Sequence, residues 1–236
     1  MMPDVSENLQ QVRLKIVEAC IRAGREVSSV DLIAVSKFFS ESLVREAFEA
    51  GQFHFGESKI QEAEPKISAL PGLLQWHFIG RLQRNKVRRM LQIFDVIHVI
   101  DSFRLAAHVN EVAKETGVFP QIFLQVNIGK EESKGGFEIQ TLYAEMEMLL
   151  QLDRLEILGL MCIPPASDNA ELARPWFVAL RELRNALEIE FELRLPCLSM
   201  GMSSDFEVAI EEGSTHVRVG SAIFGNRSYR VDGELG

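Results

Sequence analysis

Short apolar runs alternate with amphipathic helical stretches along the whole chain, and no other feature narrows its fold as far. The first run, Leu32-Ile33-Ala34-Val35, has no polar break, as expected of a strand covered on both faces in a parallel sheet. Phe53 to Gly56, Leu74 to Ile79, Phe94 to Ile100, Gln121 to Val126, Leu155 to Met161, Leu195 to Leu198 and Thr215 to Val219 supply seven more. Helical patterns separate them. Ser40 is placed to cap a helix through Leu43, Ala47 and Phe48 that Gly51 stops, and another runs from Ser58 to about Ile67. Others pass through Val87, Met90 and Leu91, through Leu105, Val109 and Val112, and through Leu142, Met146 and Leu149. The last two cover Glu171 to Leu187 and Ser203 or Ser204 to Ile210. An additional helix opens the chain: Asp4 and Glu7 resemble a capping box, Leu9, Val12, Ile16 and Cys20 recur at helical spacing, and Gly24 ends it.

Eight such strands in 236 residues satisfy a single-domain (β/α)8 barrel of the TIM type, with an extra N-terminal helix. An open doubly wound sheet is the alternative arrangement of the same alternation. No Pro/Gly/Ser-rich linker divides the chain, so the expectation is one domain over 1–236, with a polar tail at 228–236. The net charge of −9 sets the whole-molecule field against nucleic acid and anionic membranes. No window has the ~18 apolar residues of a membrane helix, and the start Met-Met-Pro-Asp-Val lacks the features of a signal peptide. Cys20, Cys162 and Cys197 are scattered, without zinc spacing, and read as core residues of a reduced, cytoplasmic protein.

In parallel α/β folds the chemistry gathers at the carboxyl ends of the strands. The first strand runs out at Lys37, the second at Gly56-Glu57-Ser58, the third near His77 and Gly80, the fifth at Asn127. The seventh leads into Ser199-Met200-Gly201-Met202-Ser203-Ser204, and the eighth ends at Arg218 before Gly220-Ser221. Barrels often hold a phosphate at the loops after strands seven and eight, where glycine lets backbone N–H groups approach and serine adds hydroxyl donors. A lysine amine facing a phosphate cradle across the barrel mouth suits pyridoxal 5'-phosphate (PLP), with its aldehyde at one end and its anion at the other.

The segments AVSK, HFGE, QWHFIGRLQRNK, LQVNI, SMGMSSD and GSTHVRVGSAIFGNR resemble the pyridoxal phosphate homeostasis protein family, PLP-binding relatives of the alanine racemase N-terminal barrel. The resemblance runs from about residue 30 to Arg227. It implies PLP as a Schiff base on Lys37, Arg218 facing the pyridine nitrogen, and Ser199, Gly220 and Ser221 at the phosphate, with Met200 lending backbone nearby. Two places depart from the family. Ser58 stands where the family reads asparagine after Gly-Glu, and Gly80-Arg81-Leu82-Gln83-Arg84 carries two arginines where smaller residues are usual.

Arg218 also bears on reactivity. A carboxylate beside the pyridine nitrogen keeps it protonated and makes the ring an electron sink, whereas a permanently charged guanidinium disfavours that proton. Carbanion chemistry is then poorly supported. Together with the resemblance, this implies a protein that binds PLP, limits free aldehyde and supplies client enzymes, with little or no catalysis of its own; a monomer is the default expectation, since no missing domain demands a partner. A PLP-dependent amino-acid racemase and a PLP-free phosphate-binding barrel enzyme are the competing readings. His77 is placed to line the pocket or to sit hydrogen-bonded in the barrel core. His54, His98, His108 and His216 share no ligand spacing and read as structural. Arg81, Arg84, Lys86, Arg88 and Arg89 read as a solvated helix face, and Glu131, Glu132 and Lys134 as a charged loop before Gly135-Gly136.

Overall fold

The computed structural model describes residues 4–131 and 135–225. The polar tail at 228–236, and Glu132 and Lys134 of the charged loop, lie outside the described residues. Eight strands, β1 (Asp31–Val35), β2 (His54–Glu57), β3 (Gln75–Phe78), β4 (Val96–Ile100), β5 (Gln121–Gln125), β6 (Glu156–Met161), β7 (Cys197–Met202) and β8 (His216–Val219), pair in parallel in chain order. Asp31 to Ala34 register against His216 to Val219, which closes the barrel and excludes the open sheet.

The helices are α1 (Val5–Arg22), α2 (Glu41–Glu49), α3 (Ile60–Ala69), α4 (Val87–Met90), α5 (Phe103–Thr116), α6 (Ile139–Leu150), α7 (Arg174–Glu190), α8 (Phe206–Glu211) and α9 (Ser221–Phe224). Asp4 caps α1 by accepting the Glu7 N–H at 2.9 Å, as the capping pattern predicts. The buried face of α1 carries Leu9, Val12, Ile16 and Cys20 against the outer ring, where the helix packs on α2, α8 and α9. Arg13 donates to Ala50 O and Gly51 O, and Asn8 to Ile223 O, so α1 ties the first βα unit to the last. Because α9 is a single turn, the extra helix supplies outer-ring cover beside β8.

The main departure from the sequence expectation is β7, which continues through Met202 instead of stopping at Leu198. Ser199 pairs with His216 and Met202 with Arg218, with a register shift between the two pairs. Gly201 lies in this irregularity at φ +92°, and α8 approaches so closely that a Cβ would come within 2.6 Å of the Ala209 Cβ. Both constraints come from partners distant in sequence. Among the described residues, no helix is long and apolar enough to cross a membrane, and the three cysteines are free.

Candidate functional site

A cavity of about 340 Å³ opens at the carboxyl ends of the strands. Val35, Ile79, Met161 and Ile163 give it apolar walls, Ser203, Ser204, Gly220 and Ser221 line its β7–β8 side, and Lys37 and Arg218 bring the charges. Its size falls in the range of small-ligand pockets.

Lys37 is held from both sides. It sits two residues past β1, in a turn where Ser36 N–H extends the ladder to Gly56 O at 3.0 Å. The Ser36 carbonyl accepts from Lys66 Nζ at 2.9 Å, and the Phe38 N–H donates to the Glu62 carboxylate. Phe38 adopts φ +73°, a left-handed conformation that costs a non-glycine residue ~1–2 kcal/mol and persists only where neighbours enforce it. The enforcing group lies on α3. Lys66 Nζ also reaches Glu57 Oε1 at 2.6 Å and Glu62 Oε1 at 3.4 Å, and Ser36 Oγ donates to Glu57 Oε1 at 2.8 Å. Glu57 is wholly buried and its Oε2 has no hydrogen-bond partner; burial pushes its carboxyl up, with the Lys66 ammonium pulling it back. Replacing Lys66 with methionine therefore strands a buried carboxylate. The expected loss is about 3–5 kcal/mol in urea unfolding, with partial recovery when Glu57→Gln is added. A single-variant loss below about 1 kcal/mol would refute this account.

Arg218 is the second charge. It is 5% exposed, yet its side chain reaches the cavity. Nη1 donates to Ser199 Oγ at 2.6 Å and Nη2 to the Cys162 carbonyl at 2.9 Å. Among the described residues no carboxylate lies within ion-pair distance of it. Burial pulls its pKa down from an ordinary value high enough that the guanidinium stays charged. A buried cation on a cavity wall, with Asp205 acting on it only from beyond ion-pair distance, attracts an anionic or lone-pair-bearing ligand atom. At the far side, Ser203 Oγ accepts from the Gly220 and Ala222 N–H groups at 3.1 and 3.4 Å, so backbone donors there converge on an oxygen.

The structure gathers Lys37, Arg218, Gly220 and Ser221 at one cavity. The other four candidates do not line it. Ser199 lies inside β7, fully buried, its hydroxyl engaged by Arg218 and by His98 Nδ1 at 2.8 Å. Met200, also inside β7, is packed in the core. Ser58 lines a separate depression with Lys59, Arg81 and Lys86, and its carbonyl packs where Gly80 leaves no room for a Cβ. His77 is the core histidine of the two options, bonded to His54 and His98 in the barrel interior. Ser203 and Ser204, which the sequence places in the loop after the seventh strand at the start of the next helix, also line the cavity. Of the basic run, Arg88 pairs with Glu115 and Arg89 with Glu64, as a solvated face would.

The alanine racemase N-terminal domain family matches residues 12–228. The pyridoxal phosphate homeostasis protein of Aquifex aeolicus is 44% identical over 224 residues, 94% of this chain and 98% of that protein. The chain belongs to the pyridoxal phosphate homeostasis protein family. The family member of Escherichia coli K12 is 41% identical over 97% of this chain and 99% of its own length. A solved structure of PipY from Synechococcus elongatus, with PLP bound, is 40% identical, with a TM-score of 0.83 over 94% of this chain and all of PipY. The matched spans include the cavity and its lysine-bearing turn.

Proposed function

We propose that this chain binds PLP in the 340 Å³ cavity and serves PLP homeostasis in the cytoplasm, as a monomeric carrier for client enzymes. The observation that carries the reading is the convergence of Lys37, Arg218 and the β7–β8 donors on one cavity in a chain of this family. The PLP-bound relative PipY supports the choice of ligand. When bound, PLP supplies an aldehyde, which condenses with the Lys37 amine with release of one water. Arg218 would face the ring nitrogen, and Ser203, Ser204, Gly220 and Ser221 would hold the phosphate.

The same lining argues against turnover. Among the described residues around the cavity, Lys37 and Arg218 are the only side chains with an ionisable group. Racemization needs a proton donor and acceptor on opposite faces of Cα, and Arg218 stays protonated throughout. The competing racemase reading is tested by incubating the PLP-loaded protein with alanine or serine in D2O and following the α-proton by NMR. Exchange no faster than with free PLP is expected; protein-dependent exchange would overturn the carrier reading.

A further inference from the structure

Beneath Arg218, the barrel interior holds a line of polar groups that do not touch the cavity. From Ser199 Oγ, 2.8 Å separates His98 Nδ1; His98 Nε2 lies 2.9 Å from His77 Nδ1, and His77 Nε2 lies 3.2 Å from His54 Nδ1. His77, His98 and Ser199 are buried, and half-buried His54 begins β2 at the amino end of the barrel. The four residues come from β2, β3, β4 and β7, so the line crosses the barrel interior.

Its direction follows from the donors available. Arg218 has no acceptor, so Ser199 Oγ accepts from it. The serine then has one hydrogen to place, and His98 Nδ1 is the only other hydrogen-bonding group recorded beside it among the described residues. His98 must therefore accept at Nδ1 and carry its hydrogen on Nε2, which donates to His77 Nδ1. His77 in turn donates from Nε2 to His54 Nδ1. An imidazolium at His77 would set two donors face to face. His98 is further fixed by stacking on Phe123 at 4.4 Å between ring centres. Burial holds both rings well below the usual imidazole range, as do neighbouring histidines, His216 among them.

We propose that Ser199, His98, His77 and His54 are positioning residues for Arg218, forming a one-way hydrogen-bond chain that locks the guanidinium with its remaining N–H groups available to the cavity. Ser199 thus serves the cofactor through Arg218. The functional meaning rests on Arg218 being the group at the PLP ring; the chain itself does not.

The test begins with the full-length protein before PLP is added, using long-range 1H–15N correlation of the imidazoles at pH 7.5. His77 and His98 are expected to be neutral, both with the hydrogen on Nε2. An Nδ1–H tautomer or an imidazolium at His77 or His98 would overturn the chain. Ser199→Ala is expected to release the single tautomer of His98, to weaken PLP binding about tenfold and to displace the visible band of the Lys37 adduct. Ser199→Thr, which keeps the hydroxyl, should restore all three. Unchanged affinity and band position in Ser199→Ala would overturn the positioning role, and Ser199→Cys, a poorer acceptor, repeats the test if the alanine variant does not fold. If no Lys37 adduct forms in any variant while the tautomers hold, the cofactor reading fails and the chain does not.

Discussion

Lys37→Ala loses the visible band that appears when the protein is mixed with PLP, and borohydride reduction leaves no PLP-modified peptide from the 32–40 region. The expectation rests on placement. An imine forms readily when the amine is held beside the aldehyde, and such pre-organisation is worth orders of magnitude in effective concentration. The turn 36–38 provides it, because Lys66 and Glu62 pin the backbone on either side of Lys37 and enforce the left-handed Phe38. The neighbouring lysines are poor substitutes. Lys66 is buried in ion pairs with Glu57 and Glu62, and Lys59 lies outside the cavity lining, its Nζ 5.3 Å from the centre of the Phe38 ring. Apparent affinity for PLP should fall roughly a hundredfold or more, leaving only the Arg218 and phosphate-side contacts. Mass spectrometry of the reduced digest decides the matter. An adduct on Lys59, or an undiminished band, would mean that Lys37 is not the anchoring amine.

The barrel and the lysine at its mouth were legible in the sequence because both are local signals. A continuous apolar run followed by a lysine, repeated in a βα alternation, reports strand position without knowledge of any partner. The extent of β7 was not legible. Ser199 to Met202 reads as a glycine- and serine-bearing turn, and becomes strand only because β8 offers His216 and Arg218 as partners and α8 packs on Gly201. That one boundary moved Ser199 and Met200 from the loop into the wall and brought Ser203 and Ser204 to the cavity. The polar chain under Arg218 was hidden for the same reason, since residues 54, 77, 98, 199 and 218 meet only once the barrel closes. One signal was available: four of the five histidines fall within or beside strand runs, where a solvated role is not expected.

Those histidines carry the other large prediction, a steep loss of stability in mild acid. Burial, chiefly, holds His77 and His98 well below the ordinary imidazole range and pulls His216 down to about 4. In the unfolded chain all three titrate near pH ~6.5, so below that pH the unfolded state binds protons that the folded state refuses. The sign is fixed: their contribution is complete above about pH 6.5 and is lost as pH falls toward the folded-state values. Each refused proton removes up to ~1.4 kcal/mol per pH unit, so His216 alone gives up about 3 kcal/mol by pH 4. With all three titrating, the slope approaches ~4 kcal/mol per pH unit, against a total stability of order 5–15 kcal/mol for a domain. Carboxylates held low by arginine, such as Glu171 and Glu211, add their loss only below about pH 4.5, so between pH 6.5 and 5 the fall in stability comes from the histidines. Glu57 works in the opposite direction, since its raised carboxyl takes up a proton more readily in the fold. Urea unfolding at half-unit steps from pH 8 to 5 should show a plateau and then a fall, and His216→Gln should remove about a third of the slope whatever it does to the plateau. A flat profile down to pH 5 would mean that the buried rings take up protons in the fold as readily as in the unfolded chain, and the neutral, one-way arrangement beneath Arg218 would fail with it.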